Sequence, residues 1–161
     1  MYKRQAAACL FAAAESSEIQ AVVSDGAFRT GADVFRNVSR HVVHDPRTNL
    51  LVRGMFVTAS FPGVVRAVVL AYYLRTGVYL GPDFVSVLPA ASRIACPVLL
   101  ISGERDWIVP PADARSILAA LPGHRKSLVT IPNASHDTTY DSAPTLYRGA
   151  VMTFLDTALT K

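Results

Sequence analysis

Asp106 and His136 stand thirty positions apart, each just beyond an apolar run that breaks off into polar residues. The first run, Pro97-Val98-Leu99-Leu100-Ile101-Ser102, stops at Gly103-Glu104-Arg105-Asp106. The second, Leu128-Val129-Thr130-Ile131-Pro132, leads into Asn133-Ala134-Ser135-His136. A carboxylate and an imidazole brought together form two parts of a proton relay. The imidazole takes a proton from a nucleophile, and the acid holds the ring in one tautomer and stabilises its cation. The third part, a nucleophile, has no matching signal.

Such a pair needs two neighbouring strands with their ends on one edge. A continuous run of leucine and β-branched residues ending in a polar loop reads as a strand buried on both faces of a parallel sheet. Functional groups gather beyond the carboxyl ends of such strands. Ile19-Gln20-Ala21-Val22-Val23 reads as another short buried strand, closed by Ser24-Asp25-Gly26. The pattern predicts three parallel strands in the order Ile19–Ser24, Val98–Ser102, Leu128–Ile131. Helices should flank them. Ala6 to Ala14 is the strongest local helix former. Asp33 can cap a helix with Val34, Val38 and Val42 on its apolar face. Pro110-Pro111 opens a helix with the stripe Ala114, Ile117, Leu118 and Leu121, stopped by Pro122-Gly123. Pro144 starts the last helix, with Tyr147, Val151, Phe154, Leu155 and Ala158 on one face. Val87-Leu88-Pro89-Ala90-Ala91 leads into the strand at Val98.

The chain has 161 residues, 51% of them hydrophobic and 17% charged, which excludes a disordered polypeptide and fits one domain with a real core. The net charge is +4, and all but three of the 16 cations are arginines scattered singly, so no basic stripe suggests nucleic acid. Cys9 and Cys96 lie in apolar surroundings without metal spacing or a disulfide pattern, and read as buried free thiols. No metal or cofactor is expected.

Residues 50 to 72 are long and apolar enough to raise a membrane span, which takes about 20 apolar residues. Arg53 and Arg66 inside the stretch and Pro62-Gly63 at its middle argue instead for two short helices around a turn. The region 45–92 reads as a helical, cap-like insertion that covers the sheet or roofs the site, and no membrane partner is expected. The opening Met1-Tyr2-Lys3-Arg4-Gln5 resembles a transposon-end adapter of sequencing libraries. Residues 1–5 are therefore expected to be a cloning or sequencing scar, and residues 6–161 a truncated domain.

The strand-end segments, with Val109-Pro110 and Ile131-Pro132-Asn133-Ala134-Ser135-His136, resemble the C-terminal portion of the α/β-hydrolase fold. Ile19 to Phe28, Val87-Leu88-Pro89 and Ile94-Ala95-Cys96-Pro97 are similar to its serine peptidase-like and esterase-like branch. The resemblance implies that Asp106 is the acid after the seventh strand and His136 the base after the eighth. It implies a small ester, amide or peptide substrate and no cofactor. The family's nucleophile sits in Gly-x-Ser-x-Gly, which is absent here. By the resemblance the elbow belongs where the scar stands, and the first five strands are missing with it. Ser24 follows the wrong strand and Ser60 lies in a helical region.

Other readings stay open. Asp106 can simply cap the turn in Gly-Glu-Arg-Asp-Trp, and Glu104 is a rival acid. Trp107 lines a pocket or packs. His41 and His44 read as structural or solvated, and His124 as exposed. The whole is either the acid-and-histidine half of a serine hydrolase, inactive alone, or a non-catalytic binding module of the same fold. A third possibility is a hydrolase whose missing half supplies an Asp or Cys nucleophile.

Overall fold

The computed structural model describes residues 4–59, 61–77 and 86–160. Ser60, Gly81-Pro82, whose residue types mark a loop, and the first three residues of the expected scar lie outside them. The chain divides into two compact units, Met1–Arg29 with Ser86–Lys161, and Thr30–Val85.

The first unit is built on a parallel sheet of β1 (Val22–Asp25), β2 (Val98–Gly103) and β3 (Lys126–Ile131), in that spatial order. β2 lies in the middle and is buried at every position, as its unbroken apolar run demands. β1 begins at Val22 rather than at Ile19. Val22 pairs with Val98, and its amide donates to the carbonyl of Pro97. Pro97 has no N–H to return, so the ladder starts there.

Alternate residues of β2 face two separate cores, following the period of two of a strand. Val98 and Leu100 pack with α1 (Arg4–Glu15), α5 (Leu88–Ala91) and α6 (Pro111–Ala120) through Leu10, Ala91, Ile117 and Leu121. Leu99 and Ile101 pack on the other side with Ile131, Ala134 and the partly buried Tyr147, Val151 and Phe154 of α8 (Pro144–Leu159). In α1, Ala6, Leu10 and Ala13 repeat at helical spacing and are buried. Full burial of Leu10 alone is worth about 1.5–3 kcal/mol. Helix α6 opens with proline at its first position, as expected, and Gly123 takes a positive φ of 67° just beyond its end. The segment Val87–Ala91, which leads toward β2, forms a helical turn, with Val87 as the N-cap of α5 and Pro89 in its first turn. The thiols differ from expectation, since Cys9 and Cys96 are only partly buried.

The second unit holds α2 (Gly31–His44), α3 (Leu50–Ala59) and α4 (Pro62–Thr76). The cap of α2 is Thr30, not Asp33. Thr30 is extended at φ −140° and ψ 151°, and its hydroxyl oxygen accepts from the Asp33 amide at 3.0 Å. The same hydroxyl donates to the Asp33 carboxylate at 2.8 Å, so the Thr-x-x-Asp pair closes on itself. Phe35 stacks on Phe56 with ring centres 6.5 Å apart. Helices α3 and α4 meet at Phe61-Pro62, and Gly77 ends α4 in the left-handed conformation. Among the described residues no helix is long and apolar enough to cross a membrane.

Candidate active site

β2 ends at Gly103, and the backbone turns at once, the Asp106 amide donating to the Gly103 carbonyl at 3.2 Å. This swings Asp106 back beneath the loop, where its side chain is fully buried. Its two carboxylate oxygens divide the work. Oδ1 accepts from the amides of Ile108 at 3.0 Å and Val109 at 2.8 Å, which is the turn-capping role of an aspartate. Oδ2 faces His136 Nδ1 at 2.8 Å. Turn capping and pairing with the histidine are thus both present, one on each oxygen.

β3 hands over to His136 through two successive turns. In Ile131-Pro132-Asn133-Ala134 the Ala134 amide bonds the Ile131 carbonyl, and Asn133 has a positive φ of 58°. Proline second and asparagine third suit such a turn, because proline sets φ and asparagine tolerates the left-handed region. The second turn, Ser135 to Thr138, closes between the Thr138 amide and the Ser135 carbonyl, and its start is braced by the Ser135 amide on the Thr138 hydroxyl at 2.9 Å. His136 projects from this turn with 18% of its side chain exposed.

The two strand ends are stitched together. Glu104 N–H donates to the Ile131 carbonyl at 3.0 Å and Arg105 N–H to the Ala134 carbonyl at 2.8 Å. The Glu104 carboxylate accepts from the Asn133 amide at 2.9 Å. Glu104, the rival acid, therefore braces the histidine's loop. Because Oδ2 of a carboxylate accepts, Nδ1 carries the ring proton. In a neutral ring with that proton, Nε2 keeps its lone pair, the tautomer a general base uses.

The remaining sequence-predicted residues lie elsewhere. Trp107 is exposed beside Asp106, and His41, His44 and His124 are exposed on the surface. Ser24 is buried and donates its hydroxyl to the Ala6 carbonyl at 2.8 Å, so it is not placed as a nucleophile. Among the described residues no group of three or more His, Cys, Asp or Glu is placed to hold a metal ion. Sequence reasoning missed Asp25 and Thr139, whose side chains meet at 2.6 Å across 114 positions. Asp25-Gly26 had the look of an ordinary strand-ending turn, and no local signal marks its distant partner.

Residues 74–143 match the family described as serine aminopeptidase, S33. No curated protein matches the chain in sequence. Among solved structures, an esterase of Pyrococcus furiosus is 18% identical with a TM-score of 0.62, over 96% of this chain and 50% of its own. An α/β-hydrolase enzyme from a Medee basin deep-sea metagenome is 19% identical with a TM-score of 0.55, over 92% of this chain and 61% of its own. The esterase domain of a Rhodothermus marinus protein is 20% identical with a TM-score of 0.53, over 92% and 55%. The chain thus spans about half to three fifths of the length of these structures. With its three parallel strands flanked by helices, the chain has the α/β-hydrolase fold over about half the length of these structures.

Proposed function

We propose that this chain is the acid-and-base half of a serine hydrolase that cleaves a small ester or amide. The observation that carries the reading is the 2.8 Å contact between a fully buried Asp106 carboxylate and His136 Nδ1, at the ends of adjacent parallel strands. The match to a serine aminopeptidase family over residues 74–143, which include both residues, supports it. So does the esterase named among the structures it resembles.

In the proposed reaction a serine from the other half of the fold attacks the substrate carbonyl. His136 Nε2 takes the hydroxyl proton as the bond to carbon forms. The ring then returns the proton to the departing alcohol or amine, leaving an acyl-enzyme. A water molecule, deprotonated by the same nitrogen, releases the acid. Asp106 keeps the proton on Nδ1 throughout and stabilises the imidazolium. Donors for the oxyanion belong to the nucleophile's side of the fold.

The test is a comparison of the 161-residue chain alone with the same chain joined to the upstream half of its gene, using activated esters. The chain alone should hydrolyse no faster than a protein-free control, and the joined protein should turn over. A joined protein that folds but hydrolyses neither esters nor amides overturns the proposal.

A further inference from the structure

The turn that carries His136 is tied at its far end to a strand that the acid–base pair does not use. β1 ends at Asp25, whose Oδ2 accepts a 2.6 Å hydrogen bond from the Thr139 hydroxyl. Thr139 is buried and opens the short helix α7 (Thr139–Ser142), three residues after His136. Burial, and after it the negative charge of Asp25, push the phenol of Tyr147 on α8 above its usual range. Asp25 therefore holds the start of the element that follows the histidine and lies near the next one.

We infer that Asp25, acting through Thr139, is a positioning residue that holds the His136 imidazole against Asp106. This rests on the reading of His136 as the base. The turn at Ser135–Thr138 has two ends. Its upstream end is set by the loop after β2, through Arg105 N–H on the Ala134 carbonyl and the Glu104 carboxylate on Asn133 N–H. Its downstream end meets a helix of four residues whose N-cap, Thr138, accepts the Ser135 amide on its hydroxyl oxygen and caps none of the helix's own amides. The Thr139–Asp25 bond fixes that end to the sheet. Asp106 is held by two backbone amides and cannot follow a ring that swings away. A hydroxyl bonded to a carboxylate is among the stronger neutral-to-charged hydrogen bonds. A misplacement of about 1 Å in a catalytic group can cost about 100-fold in rate.

The test reads the His136 Nδ1 proton by nuclear magnetic resonance on the 161-residue chain, with the sheet amides as a check on the fold. Thr139→Val should speed exchange of that proton with water by about tenfold while the sheet amides hold their positions. Thr139→Ser keeps the hydroxyl and should stay within about twofold of the parent. Asp25→Asn keeps an acceptor but loses the charge, and should fall between the two. Unchanged exchange in Thr139→Val overturns the inference. If Thr139→Val does not fold, unchanged exchange in Asp25→Asn overturns it equally. The acid–base reading is tested separately by Asp106→Asn. Should the Nδ1 proton keep its resonance and exchange rate there, that reading fails, whatever Thr139 does.

Discussion

Gly103 lies so close to Ala134 that a Cβ on it would stand 2.6 Å from the Ala134 carbonyl oxygen and 2.9 Å from that of Ser135. Both neighbours are backbone, so neither can turn aside as a side chain would. The close approach lets the loop after β2 and the loop after β3 touch, and that contact brings Asp106 to His136. Gly103→Ala should therefore cost about 1–3 kcal/mol of stability through overpacking and push the His136 turn outward. Denaturant unfolding measures the first effect, and loss of the Nδ1 proton resonance measures the second.

In the joined protein, His136→Ala should abolish most turnover, since the base serves both acylation and deacylation. Asp106→Asn should lower kcat by up to about 10⁴, because an amide at that place favours the wrong tautomer. His124→Ala and Arg105→Ala alter exposed side chains away from the reacting groups and should change little. Steady-state rates on one activated ester distinguish the four. Full turnover with His136 replaced would mean another residue is the base.

Thr30→Ala removes the cap of α2 and leaves the buried Asp33 carboxylate without one of its donors. The expected loss is about 1–2 kcal/mol, read as a lower unfolding midpoint. Asp33→Ala should cost less if Thr30 alone is the cap, and more if the capping lay with Asp33.

Burial raises the thiol of Cys9 above its ordinary value, and Tyr147 is raised by burial and then by Asp25. A group whose folded value lies above its unfolded value contributes stability at low pH. That contribution is lost as pH rises past the unfolded value and through the folded one. Stability should thus decline on the alkaline side, from about pH 9 upward for the thiol. Urea unfolding across that range measures the decline, and Cys9→Ala and Tyr147→Phe should each flatten it. A midpoint that rises with pH there would contradict the assignment.

The sequence by itself determined the elements whose information is local. The apolar run of β2, the proline that opens α6, the face of α8 and the placing of Asp106 and His136 at strand ends all follow from periodicity and turn chemistry within a few residues. Tertiary structure decided what depends on partners far along the chain. Thr30 and Asp33 are both good capping residues by type, and the extended backbone at Thr30 settles which one caps. The start of β1 depends on Pro97, more than seventy positions later, having no amide to offer. The two roles of Asp106 exist because one carboxylate has two oxygens and the fold supplies donors from two loops. The Thr139–Asp25 bond joins residues that no local pattern connects. Local spacing decides which way a chain turns, but a contact between strand ends exists only once the sheet has brought those ends together.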